Sequence, residues 1–498
     1  MRASGVFDAF FRYLIAAALI GSVYVYLYPA LNGCAFTPPT AGSMEQPPGA
    51  PTHVAPFRLL ALGDPQLEGD SSLPDPNEPL FPSLETLKSR VFEGDVWAAF
   101  WGLGETAIGF VLEDLWGIVK AQRKRVDLWG NDFYLAHIYR SLVWWAEPTH
   151  TVVLGDLLGS QWISNEEFER RSTRFWERVF KHAERVPREI TEASGRTEVL
   201  GHDPKWSRRI IAVVGNHDIG YAGDLNHTRI ERFEREYGSV NWEIRFDLRN
   251  ASDESGPSPS PQLRLIIFNS MNIDDPALHK DLQKVSRDFI ADRAFIQSAS
   301  PTTATFLLTH IPFYKQEGVC VDPPFFSHFE PFEGGGMKEQ NHLSRPWTDY
   351  ILTGLDRQGT VLALNGHDHE GCDTIHHRSA GRHPGEDEGQ APHWESHRFG
   401  SRHDDPSAST ARGIREITVR SMMGSFGGHA GLLSAWFDAD AQRWQYEFKD
   451  CMFGVQHIWW AVHVVDLLVV VLFVGRGVAA GWERLNAKRE GDGKVKTT

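Results

Sequence analysis

The chain has 498 residues, 41% of them hydrophobic, and a formal net charge of -15. That length allows one large domain or two to three ordinary ones, with enough apolar content for a sizeable core. The acidic balance excludes a general nucleic-acid binder, which needs clustered lysine and arginine.

In chain order, residues 1–12 carry Arg2 and Arg12 and precede "YLIAAALIGSVYVYLYPAL" (13–31), an uncharged stretch long enough to cross a bilayer. A cleaved signal peptide is the rival reading. Residues 32–56 include "FTPPTAGSMEQPPGAPTH", a proline-rich linker. A globular domain is expected over 57–448. Within it, the aromatic stretch 91–119 reads as a helical pair packed on the core, with a helix at the membrane surface as the alternative. Charged and apolar residues alternate at helical spacing over 165–186. The polar, Gly/Pro/Ser-containing segments 250–262 and 377–413 read as mobile insertions.

After a juxtamembrane segment, 449–457, "IWWAVHVVDLLVVVLFVG" (458–475) is a second candidate span. His463 and Asp466 within it are costly in lipid unless they face a partner, and a buried amphipathic helix is the alternative. The tail, 476–498, holds Arg476, Arg484, Lys488, Arg489, Lys494 and Lys496. With Arg2 and Arg12 before the first span, the positive-inside rule predicts cytosolic termini and a lumenal domain. Asn226 and Asn250 begin glycosylation sequons available to such a domain. Lys494 and Lys496 in "KVKTT" have the spacing of a dilysine retrieval signal, with a solvated basic tail as the alternative.

Four cysteines allow three pairings. Cys34 follows the first span and Cys451 precedes the second, which favours Cys34 with Cys451 and Cys320 with Cys372 in an oxidising compartment.

Six near-continuous apolar runs read as strands covered on both faces: "FRLLALGD" (57–64), "HTVVLGD" (150–156), "RIIAVVGN" (209–216), "LRLIIFNS" (263–270), "TFLLTH" (305–310) and "VLALNGH" (361–367). With helical stretches between them they predict an α/β or α+β layered domain. Five of the runs end in a metal-binding side chain: Asp64, Asp156, Asn216 with His217, His310, and His367 with His369. Ligands bind at the carboxyl ends of strands in such sheets, so donors placed there converge.

The series Asp, Gly-Asp, Gly-Asn-His-Asp, His, Gly-His-x-His resembles the calcineurin-like metallophosphoesterase superfamily. The resemblance implies a β-sandwich flanked by helices and two divalent metal ions. It makes Asp64 and His369 ligands of the first ion, Asp156 the bridge, and Asn216, His310 and His367 ligands of the second. It leaves His217 to contact phosphate and assist the leaving group. Two cations about 3.5–4 Å apart need an anionic bridge, and mixed imidazole, amide and carboxylate donors suit manganese, iron or zinc, with manganese favoured. The superfamily pattern Asp-x-His is here Asp64-Pro65-Gln66, and an amide oxygen is a poorer donor than imidazole.

"GNHDIGY" (215–221), "NHTRIERFEREYG" (226–238), "LTHIPFYK" (308–315), "NGHDHEGCD" (365–373), "MMGSFGG" (422–428) and "KDCMFGV" (449–455) resemble a narrower, membrane-bound branch. That branch removes ethanolamine phosphate from glycosylphosphatidylinositol (GPI) anchors. The likeness implies a lumenal phosphodiesterase of the endoplasmic reticulum and early Golgi, acting on GPI-anchored proteins or their glycolipid. Cargo receptors and coat-retrieval machinery are its expected partners. Another phosphoesterase of the superfamily, or a non-catalytic cargo adaptor or manganese-homeostasis protein, are the alternatives.

Overall fold

The computed structural model describes residues 3–39, 44–45, 53–74, 79–92, 97, 102–193, 195–248, 260–295, 300, 302–320, 325–378, 393–400, 413–454 and 456–495. The sequon Asn250 and Lys496 lie outside the described residues, as does most of 250–262.

Two mixed sheets face each other. In the first, β1 (Phe57–Leu62), β2 (His150–Leu154) and β3 (Arg209–Val213) run parallel. In the second, β4 (Gln262–Ile267), β5 (Thr303–Leu308), β6 (Thr360–Asn365) and β7 (Ile414–Thr418) run parallel in that order. The hairpin of β8 (His429–Asp438) and β9 (Arg443–Met452) returns to the first sheet, β8 antiparallel to β1.

The apolar runs are unbroken because both faces of these strands are covered. Leu59, Ala61, Val152, Leu154, Ile211 and Val213 meet Leu265, Ile267, Phe306, Leu308 and Leu364 between the sheets. Their alternate neighbours, including Leu60, Leu62, Val153 and Ala212, belong to a second buried cluster with helical residues such as Leu135, Ile138 and Phe168. The product is a helix-flanked sandwich in which parallel strands present their carboxyl ends at one edge.

Several expectations are corrected. The helix expected over 165–186 ends early: α3 (Asn165–Arg174) continues as a π-helical turn, Phe175–Val179. Phe175 and Phe180, five residues apart, are both buried with ring centroids 4.3 Å apart, a spacing that a wider turn satisfies. Within 377–413, Trp394–Arg398 is an edge strand paired with 374–378, because Trp394 and Ser396 alternate into the interior. The region 91–119 does not pack on the sheets where described. It runs through Leu103–Leu115 into the long α2 (Trp116–Ala146), with Ile108 62%, Leu112 64% and Trp116 55% exposed.

The terminal helices also depart from expectation. Among the described residues one stretch, Gln456–Asn486 of α7 (Gln456–Val495), is long and apolar enough to cross a membrane, and it extends well past 475. The helix α1 (Ala3–Tyr26) stops before Leu31, and its apolar part, Phe10–Tyr26, spans about 26 Å against the roughly 30 Å of a hydrocarbon core. A span over 13–31 is thus not confirmed by length. It lies antiparallel along α7: Arg476 pairs with Asp8 at 3.1 Å, and Phe11 meets Phe473 with centroids 5.9 Å apart. Ser22 donates to Asp466 at 3.0 Å, and Tyr26 bonds His463 at 3.0 Å. The two polar residues that interrupt the apolar run thus have partners on α1. Disulfides join Cys34 to Cys451 and Cys320 to Cys372.

Candidate metal centre

The turns after β1, β2, β3, β5 and β6 meet at one edge of the sandwich. Asp64, Asp156 and His367 adopt positive φ of 45°, 48° and 74°, a costly conformation for residues with side chains. That backbone turns each side chain back over the strand ends, and neighbouring motifs lock it. The His367 N–H donates to Asp64 Oδ1 at 3.0 Å, and the His217 N–H to Asp156 Oδ1 at 2.8 Å. Gly155, at φ 96°, allows the closest approach: a Cβ there would stand 2.2 Å from His310 Nδ1.

The donors form two groups that share one residue. Asp156, His310 and His367 lie together, as do Asp64, Asp156 and His369, with ligand atoms within 4.8 Å of one another in each. Asn216 joins the first group, its Oδ1 3.0 Å from His310 Nε2 and 3.0 Å from His367 Nδ1. The outer ring nitrogens are committed elsewhere. His310 Nδ1 bonds the Leu154 carbonyl at 2.7 Å, and His367 Nε2 the Gln340 carbonyl at 2.8 Å. A carbonyl only accepts, so these nitrogens carry the protons and the inner ones present lone pairs. Buried carboxylates, inward imidazole lone pairs and an amide oxygen fit divalent cations well.

Electrostatics agree with that fit. Burial pushes the Asp64 carboxyl up to about 8, with Asp156 adding to the rise. Burial, then the neighbouring His310, pushes His367 down to about 3. For His310 burial acts downward, but the Asp156 carboxylate outweighs it and lifts the ring to about 9. Closely spaced buried carboxyls thus favour protons on Asp64 and His310 where cations would otherwise stand.

Gln66, at φ 40°, turns its Nε2 toward Asp156 Oδ2 and His369 Nε2, 3.1 Å from each. In that orientation its amide nitrogen faces the Asp156 carboxylate. The His217 ring is 36% exposed, with Nε2 3.8 Å from Asp156 Oδ2, at the mouth of the centre. Beside it a cleft of about 310 Å³ is lined by Lys315, Asn341, Asp368, His369, Glu370 and Phe426, and bordered by the Cys320–Cys372 disulfide. Phe426 packs on His369 with centroids 4.6 Å apart, and two residues earlier Gly424 abuts the Gln456 side chain at the start of α7. The sequon residue Asn226 caps a helix, accepting from the Arg229 N–H at 3.0 Å. Lys494 lies in the last turn of α7.

Two supporting groups are given no role by the motif pattern, although Asp218 closes its Gly-Asn-His-Asp element. Asp218 is fully buried, accepts the N–H groups of Leu158 and Gly215 at 3.0 and 2.9 Å, and so ties the Asp156 turn to the Asn216 turn. Glu416 on β7 accepts from Lys315 at 2.7 Å, Asn365 at 2.6 Å, the Phe313 N–H at 2.7 Å and His376 at 2.7 Å. That buried network fixes the segments that follow His310 and precede His367. A charged residue inside an apolar β-run, Glu416 in "IREIT", is the one signal that could have drawn notice to it.

No protein-family profile matches the chain. It is 28% identical over 396 residues to Protein TED1 of Saccharomyces cerevisiae, covering 70% of this chain and 77% of that one. An uncharacterized protein of Schizosaccharomyces pombe is 29% identical over 404 residues, covering 70% and 80%. Metallophosphoesterase 1 of Cricetulus griseus is 24% identical over 269 residues, covering 50% of this chain and 57% of its own length. By these relatives, and by strand ends that carry two donor groups sharing Asp156, the chain is similar to the metallophosphoesterases.

Proposed function

We propose that the protein is a dinuclear metal-dependent phosphodiesterase that removes ethanolamine phosphate from a mannose of GPI anchors and so promotes export of anchored proteins. The observation that carries the phosphoesterase reading is Asp156, the one carboxylate common to both donor groups. Asp64 and His369 would hold one divalent ion, Asn216, His310 and His367 the other, manganese being favoured over iron or zinc. When bound, such a pair neutralises phosphate charge and supplies an activated water nucleophile.

The chain's own residues do the rest. His217, exposed at the mouth, hydrogen-bonds the phosphate and passes a proton to the departing mannose oxygen. Lys315, buried and held by Glu416, gives the cleft wall a fixed positive charge. The substrate assignment rests on the sequence motifs and on relatedness to Protein TED1 and Metallophosphoesterase 1. A membrane-held cleft suits a lipid-tethered substrate. In this reading α1 and α7 both cross the endoplasmic reticulum or early Golgi membrane, the centre is lumenal, both termini are cytosolic, and Lys494 with Lys496 serves retrieval.

Mass spectrometry of anchor glycans tests this in cells lacking the protein, complemented with wild type or His217→Ala. Accumulation of an extra ethanolamine phosphate that only wild type removes is the expected result. Unchanged glycans would sink the substrate assignment. The placement of the Gln66 amide favours one second reading, a non-catalytic cargo adaptor or manganese-handling protein, under which His217→Ala restores export as well as wild type.

A further inference from the structure

A second cavity lies away from the metal centre, where α2 meets the ends of α1 and α7. It has a volume of about 730 Å³ and is walled mainly by Tyr26, Trp129, Phe133, Trp144, Trp460 and Leu467. Volumes of about 300–1,000 Å³ are typical of small-ligand sites. Its existence depends on Gly130, where a Cβ would overlap the Trp460 ring at 1.7 Å, so that α2 and α7 cross closely and splay apart beyond. Trp129 and Trp144 remain 52% and 64% exposed, about 22 Å apart along α2. The cavity continues onto the apolar flank of α7 at Val464 and Leu467, within the first turns of the candidate span. Tryptophan and tyrosine at that level mark a membrane interface.

The opposite end is basic. Phe133 and Arg140 also line an adjoining cavity of about 390 Å³ with Arg174, Arg178 and Lys181. Buried Asp132 pairs with Arg174 and Arg178 at 2.7 Å each, and Glu177 is the other carboxylate there. Four cations therefore face two carboxylates. Among the described residues neither Arg140 nor Lys181 is in an ion pair, and Arg140 is anchored by donating to the Arg178 carbonyl at 2.7 Å.

We infer that this composite cleft binds an anionic glycerophospholipid of the bilayer, with an acyl chain along the aromatic trough and the headgroup phosphate at Arg140 and Lys181. An apolar trough open to the spanning helix and continuous with a net-positive mouth matches a lipid at both ends. A protein segment would find no such graded polarity, and a soluble anion would leave the trough unfilled. The site is independent of the metal centre and of the reaction assigned to it.

The test uses the full chain in phosphatidylcholine nanodiscs carrying a photoactivatable acyl chain on either phosphatidylinositol or phosphatidylcholine. The phosphatidylinositol probe is expected to label peptides containing Trp129–Trp144 and Trp459–Leu467 preferentially. Arg140→Gln and Lys181→Gln should each cut that labelling roughly fivefold. Both positions are exposed, so these variants fold, and metal content reports that the sandwich is intact. Equal labelling by both probes, or labelling unchanged in the double variant, means annular lipid only and overturns the proposal. Displacement of the probe by inositol phosphate alone, at concentrations that leave lipid in the nanodisc, overturns it as well.

Discussion

The Gln66 amide nitrogen stands 3.1 Å from His369 Nε2, inserted between that ring and the Asp156 carboxylate it also touches. A hydrogen-bond donor therefore occupies the side of the centre from which a first cation would be approached. Replacing it with imidazole, Gln66→His, should tighten binding of one manganese ion by about tenfold or more, read by isothermal titration of chelated protein. Unchanged affinity would mean that Gln66 rotates its oxygen inward when metal is present.

Asp156 serves both donor groups, so its loss should act on both ions together. Asp156→Asn is expected to abolish stoichiometric metal in the purified protein and to lower hydrolysis more than about a hundredfold. Retention of one ion per chain by elemental analysis would contradict a shared role. In wild type, metal at a hundredfold excess over Kd should add about 2.7 kcal/mol of stability, seen as a raised Tm that chelator reverses.

At position 155 the limit is steric. The φ of 96° and the 2.2 Å approach of His310 leave no room for a methyl group. Gly155→Ala should cost about 1–3 kcal/mol in chemical denaturation and displace His310, weakening metal binding in the same variant. A stable variant with normal metal content would show that the turn relaxes.

Acid should probe the Glu416 network. Burial raises this carboxyl, but Lys315 and then His376 outweigh it and hold it at about 2. Because the folded value lies below the ordinary one near 4.5, its stabilisation is present in full above about pH 5 and is lost as pH falls toward 2. Glu416→Gln should flatten that part of the stability curve. It should also destabilise the protein by about 3–5 kcal/mol at neutral pH, since Lys315 is left buried without its counter-charge.

The parallel strands and their donor-bearing ends were legible in the sequence because both signals are local. A run such as "HTVVLGD" carries its burial and its terminal carboxylate in seven residues. The early end of the 165–186 helix was not, since it depends on Phe175 and Phe180 meeting inside the core. The exposed face of 91–119 was misjudged for a related reason. Apolar residues left exposed and those facing a core look alike in one dimension, and only the packing of α2 beside α7 distinguishes them. The roles of Asp218 and Glu416 were equally hidden, because each holds together turns distant in sequence.

The Phe426 turn has one more implication. It touches His369 on one side and the first residue of α7 on the other, while Asn131 of α2 bonds Gln456 at 3.3 Å and the Cys34–Cys451 bridge clamps the chain beside them. If α7 spans a bilayer as proposed, these ties would hold the cleft at one altitude above the lipid headgroups. Phosphates presented at that altitude would then be within reach, and identical ones nearer or farther along the same stalk would not. The protein would choose among equivalent groups as a gauge does, by height.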